Sequence, residues 1–314
     1  MSYYEPLVYI VPETEEGWSL KTILQKRMLI SRTLLSRLKQ TDEGIKVNGW
    51  RQYINVQVHR DDKIEVRMEQ EVSGDIMPQA MPLDILYEDD QLLIVNKEAG
   101  LIVHPTHGHY INTLANGVVY YWQQQGLHYR FRPIHRLDQE TSGVLAIAKN
   151  PYAHHHISEQ MKANKVRKEY IALVYGHLAD DSGTVNAPID RDPGEPHKRI
   201  VTVSGYPAVT HYKVEKKYSL GSQVRLVLET GRTHQIRVHM QYMGCPLFGD
   251  KMYFTQQMCE DVMKINPLEG AKMDRHALHA VKLAFAHPVT RHWMEFEAEL
   301  PEDMQDLIKA LEIL

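Results

Sequence analysis

From residue 83 onward, the apolar residues of this chain come in short runs broken by turn residues: LLIVNK at 92–97, GVLAIAKN at 143–150, EYIALVYG at 169–176 and VRLVLET at 224–230. Runs of this length suit strands rather than helices. The regular strand-helix alternation of a doubly wound parallel sheet is missing between them. The pattern predicts an α+β domain over residues 83–314, built on a mixed, largely antiparallel sheet. No fixed-period repeat interrupts it.

The first 72 residues follow a different rhythm. Leu20, Ile23 and Leu24 fall on one helical face, and Ser31 stands as an N-cap before Leu34, Leu35 and Leu38. On the second helix Arg32, Ser36 and Lys39 flank the leucine stripe, so one face docks while another offers cations. Then IKVNGWRQYINVQV places Asn48-Gly49 between alternating apolar residues, a strong hairpin signal. Helix, helix and hairpin end near Met68. Residues 69–82, EQEVSGDIMPQAMP, carry acid, glycine and two prolines with little periodicity and read as a linker. Two domains, 1–72 and 83–314, suit a chain of 314 residues with 43% hydrophobic and 24% charged residues.

The net charge of −4 speaks against a nucleic-acid partner taken globally. Between residues 20 and 70, however, eleven lysines and arginines face six acidic residues. Screening over about 8 Å lets such a local face act independently of an acidic remainder. No apolar stretch reaches the roughly 18 residues of a membrane span, and MSYYEPLVYI lacks the layout of a signal peptide, so a cytoplasmic location is expected. Cys245 and Cys259, without CxxC or zinc-finger spacing, are expected to be free thiols.

Two stretches carry chemistry. RPIHRLDQETSGVLAIAKN, residues 132–150, presents His135, Arg136 and Asp138 in a polar loop leading directly into a buried-looking strand. A carboxylate anchored this way suits a nucleophile, although a lone aspartate is more often a loop cap. LETGRTHQIRVHMQYMGCPLFGD, residues 228–250, places Arg232 at a turn before a helix whose Ile236, Met240 and Met243 share a face. Arg237 and His239 on that helix are expected to be solvated or to serve helix packing.

Together the stretches resemble the RluA family of RNA pseudouridine synthases, in its RluD-like branch. DDQLLIVNKEAGLIVHP (89–105), HRLDQETSGVLAIAKN, RKEYIALVYGH (167–177) and LETGRTHQIRVHM match the family's motifs in order. Likewise SRTLLSRLKQ followed by IKVNG resembles the S4 RNA-binding domain, with Ser19-Leu20-Lys21 where arginine-leucine-aspartate is usual. The resemblance implies Asp138 as catalytic aspartate, Tyr170 as the aromatic residue against the target base, and Arg232 as partner of the Asp138 carboxylate. It implies further that Arg136 enters the space left by a flipped nucleotide, with His135, Arg32 and Lys39 as further substrate-binding residues. Glu98 stands where the family often has proline, and Tyr206 where it often has lysine.

The implied reaction detaches uracil from N1 and reattaches it through C5 with no net electron transfer. No cofactor is expected, consistent with the lack of a GxGxxG turn, a Walker loop or an HExxH helix. Nor is a metal expected. His104, His107 and His109 lie without a nearby carboxylate or thiolate, and His154, His155 and His156 occupy successive positions whose side chains diverge on a helix. The implied partner is structured RNA, foremost large-subunit rRNA with tRNA as the other class, and a monomer is expected. A non-catalytic RNA-binding module would leave Asp138 without a role, and a glycosidase would need a second carboxylate.

Overall fold

The structure is a computed structural model that describes residues 2–254 and 273–313. Cys259 lies outside them. Cys245 is buried and free.

The N-terminal part is built on a four-stranded antiparallel sheet: β1 (Leu7–Ile10), β2 (Ile45–Val47), β3 (Trp50–Arg51) and β4 (Lys63–Val66), in the order β1-β4-β2-β3. Two helices, α1 (Leu20–Lys26) and α2 (Arg32–Leu38), pack on it. Ser19 and Ser31 cap them, each accepting a bond from the backbone N–H three residues on. Such caps contribute about 1 kcal/mol apiece. The leucine stripe of α2 is buried, whereas Arg32 and Lys39 are exposed. Asn48 and Gly49 form the two-residue connection of β2 to β3, both with positive φ (52° and 84°), as a type I′ turn requires. One strand goes beyond the expected layout: β1 pairs with β4, closing the sheet from some 55 residues away in sequence, with Leu7 opposite Val66.

Residues 69–82 are tied to the larger part rather than free. Glu71 accepts bonds from Arg37 and Arg132, Ser73 Oγ accepts the Phe131 N–H, and Ile76 is buried in the larger core.

The larger part centres on a nine-stranded sheet, mixed and largely antiparallel as expected. Its strands are β5 (Asp84–Glu88), β6 (Leu92–Lys97), β7 (Ser142–Ala148), β8 (Arg167–Tyr175), β9 (Ser182–Asn186), β12 (Val209–Lys217), β13 (Gly221–Leu228), β14 (Leu278–Ala286) and β15 (Trp293–Glu297). They run β5-β6-β7-β14-β8-β13-β12-β9, with β15 added on β14; β10 (Ile189–Arg191) and β11 (Arg199–Val201) form a separate hairpin. Period-two alternation divides the sheet residues between its faces. Leu93, Val95, Leu145 and Ile147 pack in one cluster with α3 (Leu114–Gln124) and α5 (Gln235–Tyr242); Leu92, Ile94, Val144 and Ala146 pack in another with α4 (Pro151–Lys162). The last helix, α6 (Glu302–Ile313), buries Met304, Leu307 and Leu311 against Ile171 and Leu173.

The only parallel contact among the paired strands described is β7 with β14, and it lasts two residues, Ser142 opposite His279 and Gly143 opposite Ala280. There the backbones approach so closely that a Cβ on Gly143 (φ 115°) would sit 2.2 Å from the Ala280 carbonyl oxygen. Only glycine fits. Flanking bonds fasten this seam: Ser142 Oγ to His279 Nδ1 (2.9 Å) and Thr141 Oγ1 to His276 Nε2 (2.8 Å).

Candidate active site

The loop that precedes β7 is fixed from three sides. Arg275 forks to Asp303 and donates to the Glu140 carbonyl at 3.0 Å. Lys97, fully buried at the end of β6, donates to the carbonyls of Glu98 (2.7 Å), Leu101 (2.8 Å) and Gln139 (3.0 Å). Burial pushes its amine down to about 7. Three carbonyls match the three N–H groups of an ammonium, so this lysine clamps the 98–101 turn onto the loop carrying Asp138. Gly100 N–H donates to the same Gln139 carbonyl. The stretch at 89–105 contains this lysine, but nothing in the sequence marked the contact.

Asp138 projects from that loop into a cavity of about 630 Å³, enough for a nucleoside, whose walls include Ile102, Tyr170, Leu228, Ile236 and Leu278. Arg136 and Gln139 on either side of it are exposed. The Asp138 side chain keeps 30% of its surface accessible. Facing it, Nη1 of Arg237 stands 3.6 Å from Oδ2 and His234 Nε2 stands 4.0 Å from it. Arg237 is itself held by a buried fork: Nε and Nη2 donate to the two oxygens of Asp250 at 2.7 and 2.8 Å, and its guanidinium lies 4.9 Å from the Tyr253 ring centroid. Burial opposes ionisation of Asp250, but the bonds and charge of Arg237 hold its carboxyl below the usual range. The arginine thus has one carboxylate that fixes its plane and a second that it faces with its remaining nitrogen.

Tyr170, on β8, is buried in the cavity wall. Burial, and then the nearby charge of Asp138, raise its phenol well above the ordinary value, so it stays protonated. His135 also lines the cavity; burial and then the charge of Lys168 push its imidazole down to about 4, leaving it neutral.

Arg232 does not pair with Asp138. Five residues before Arg237, it lies outside α5 in the exposed turn, donates Nε to the Pro207 carbonyl at 3.0 Å and stacks 5.7 Å from the centroid of Tyr206. The turn is fixed by Gln235, whose Oε1 accepts from Thr230 Oγ1 and the Arg232 N–H, and by the left-handed backbone of His234 (φ 57°). That geometry sends Arg232 to the cavity rim and Arg237, one residue pair into the helix, to its floor. The solvated role expected for Arg237 is likewise replaced by a buried one. His239 does pack the helix, bonded to Thr210 Oγ1 and the Ala187 carbonyl. Arg32 and Lys39 lie in the N-terminal part, away from this cavity's lining. Among the described residues no group of histidine, cysteine and carboxylate side chains could hold a metal ion, and no helix is long and apolar enough to cross a membrane.

An accessible carboxylate aimed into a nucleoside-sized cleft, faced by a fixed guanidinium and a protonated phenol, is an arrangement suited to covalent or general-base chemistry. Comparison with known proteins gives this class its name. Residues 91–242 match the family model for RNA pseudouridylate synthase. The chain is 40% identical over 273 residues to the uncharacterized RNA pseudouridine synthase YlyB of Bacillus subtilis, covering 86% of each. It is 35% identical over 316 residues to ribosomal large subunit pseudouridine synthase D of Salmonella typhimurium, covering 98% of this chain and 89% of that one. A solved structure of human RNA pseudouridylate synthase domain containing 1 superposes with a TM-score of 0.54 at 27% identity, covering 76% of this chain and 98% of the other. The chain belongs to the RNA pseudouridylate synthase family, in its RluA, RluD-like branch, and is an isomerase acting on RNA.

Proposed function

We propose that this enzyme isomerises uridines of large-subunit ribosomal RNA with Asp138 as its nucleophile. The observation that carries the assignment of Asp138 is its placement: among the described residues its carboxylate is the one that is both accessible in the cavity and faced by a guanidinium already committed elsewhere, to Asp250. The RNA class rests on the Salmonella relative, whose name assigns it to the ribosomal large subunit.

The target nucleotide is flipped into the cavity at a cost of a few kcal/mol, with Arg136 at the rim filling the vacated stack. Asp138 bonds to C6 of the uracil or to C1′ of the ribose, the N1–C1′ bond breaks with its electron pair going to the uracil, the base turns, C5 bonds to C1′, and the bond to Asp138 breaks to return the free carboxylate. The C5 proton then leaves and N1 is protonated. Arg237 orients the Asp138 carboxylate, and Tyr170 lies against the base. Residues 1–72 act as the S4-like RNA-binding domain, joined through 69–82 to the catalytic domain 83–314, with Arg32 and Lys39 on phosphates.

The test is tritium release from RNA labelled at uridine C5. Asp138→Asn keeps the shape and removes the charge, so release is expected to vanish while the variant still binds RNA; release at the parental rate overturns the assignment. Pseudouridine mapping in cells lacking the enzyme is expected to lose sites in large-subunit rRNA. Loss confined to tRNA would overturn that part alone.

A further inference from the structure

Lys168 has no part in the chemistry described so far, yet it lies in the wall of the same cavity. The residue is buried, with 8% of its surface exposed. Among the described residues it has neither an ion-pair partner nor a hydrogen-bond acceptor, and burial accordingly lowers its pKa. The other buried lysines of this part are provided for: Lys97 has three carbonyls and Lys149 has Glu88 at 2.8 Å. The stem of Lys168 is thus packed in the wall while its ammonium, without a protein partner, opens on the cavity, where an anion entering with the substrate can meet it.

The position says which part of the substrate arrives. Lys168 and Tyr170 are two residues apart on β8, so they share a face of the strand about 7 Å apart. Along β8, Lys168 therefore stands one same-face step from Tyr170. Its Nζ is 3.9 Å from where a Cβ on Gly231 would be, beside the exposed Gly231-Arg232-Thr233 turn at the rim. With the base held at Tyr170 and Asp138, the negatively charged group within reach of the rim is a backbone phosphate next to the flipped nucleotide. The neighbouring imidazole of His135 is neutral, so it adds no competing charge.

We propose that Lys168 is a substrate-positioning residue whose unpaired ammonium binds an RNA phosphate flanking the flipped uridine. This rests on the cavity being the uridine site. A phosphate contact releases counterions, so it contributes about 0.7–0.9 to the slope of log affinity against log salt. A merely structural lysine contributes nothing to that slope.

The experiment measures binding of an unlabelled substrate RNA to Lys168→Met, Lys168→Arg and the parent across a salt series, with Asp138→Asn present throughout to block turnover. Lys168→Met is expected to bind roughly ten- to a hundredfold more weakly at low salt, with its slope reduced by about one contact, and Lys168→Arg to restore both. Its thermal midpoint is expected to equal or exceed the parent's, because methionine removes the buried charge without leaving a cavity. Weaker binding with a lowered midpoint and an unchanged slope would make Lys168 structural. An unchanged slope and affinity, with slower tritium release when the substitution is placed in the Asp138 enzyme, would put the ammonium on the uracil ring and overturn the phosphate assignment. If the parent binds and modifies RNA but Lys168→Met matches it throughout, only this inference falls; if the parent fails to modify any RNA, the reading of the cavity falls with it.

Discussion

Arg237 stands 3.6 Å from Asp138 and is locked by Asp250 through two bonds of 2.7 and 2.8 Å. A guanidinium so restrained cannot follow the Asp138 carboxylate if that carboxylate moves; it faces Oδ2 from one fixed direction. The same relationship makes Asp250, with no accessible side-chain surface, depend on Arg237 for its only cationic partner among the described residues.

Removing the guanidinium therefore has two separable effects. Arg237→Met leaves Asp250 buried and unpaired, and is expected to cost about 3–5 kcal/mol of stability. Arg237→Lys keeps the charge but loses the fork, and is expected to stay folded while its single-turnover rate falls about a hundredfold. Arg232→Met, at the rim, is expected to weaken RNA binding with a much smaller effect on that rate. Urea unfolding and single-turnover tritium release at saturating enzyme read the two effects. Equal rates for the Arg237→Lys and Arg232→Met enzymes would dissolve the distinction drawn between these arginines.

The seam between β7 and β14 supports a second expectation. Gly143→Ala would drive a Cβ into the Ala280 backbone while holding φ near +115°, so both overpacking and backbone strain apply. Together they are expected to cost about 3 kcal/mol or more, and the Asp138 loop should loosen with the seam. Gly126, also at positive φ (73°) but with open space around it, serves as the control; Gly126→Ala is expected to cost only about 1–2 kcal/mol. Hydrogen exchange at Thr141–Val144 in a partly destabilised Gly143→Ala protein is the readout, and protection equal to the parent's would refute the loosening.

What the sequence disclosed follows the range over which each signal acts. Ser31 before its leucine stripe and Asn48-Gly49 between strands are local devices, and both form as read. The pairing of β1 with β4 depends on residues far apart in the chain, and nothing in Leu7–Ile10 marks it. At the site, the motif around Asp138 and the strand carrying Tyr170 were legible because chemistry and secondary structure coincide there. The choice between Arg232 and Arg237 was not, since GRTHQIR offers two arginines and the one that turns inward is selected by Asp250, thirteen residues past Arg237 and across the turn after α5. Lys168 stands in the quoted stretch RKEYIALVYGH without a role of its own, and only its place in the cavity wall without a partner distinguishes it.

The buried histidines set an acid limit on stability. Burial pushes His135 and His276 down to about 4, against 6.5 in the unfolded chain. Between these values the unfolded state binds protons that the native state refuses, so stability falls as pH is lowered from about 6.5 to about 4, each residue contributing at most about 3 kcal/mol. Above 6.5 neither is charged in either state and the effect is absent. Urea midpoints measured across that window are expected to slope downward toward acid, and His276→Gln, which keeps a partner for Thr141, to reduce the slope. A midpoint flat from pH 6.5 to 4.5 would mean that these imidazoles are protonated in the native state.

The basic N-terminal face yields the last expectation. Several of its cations are already engaged within the protein: Arg37 with Glu71 (2.6 Å), Lys46 with Glu43 (2.6 Å) and Arg51 with Asp42. Arg32 on α2 and Lys39 at its C-terminal cap are exposed and have no ion pair among the described residues, so they can meet phosphates without first giving up a partner. Arg32→Ala with Lys39→Ala is thus expected to lower the slope of log affinity against log salt by about 1.5, whereas Arg51→Ala, whose loss also frees Asp42, should alter it less. Point substitutions are preferable to removing residues 1–72, because Tyr152 of α4 is buried in the N-terminal core and Tyr4 stacks on Tyr129 at 5.5 Å, so a deletion would also expose apolar surface of the catalytic part. Both alanine substitutions leave the single-turnover rate at saturating enzyme to the catalytic residues, and a fall in that rate larger than the fall in affinity would show that α2 does more than hold RNA. Identical salt slopes for the double variant and the parent would make the face a solvated surface and withdraw the S4-like role from residues 1–72.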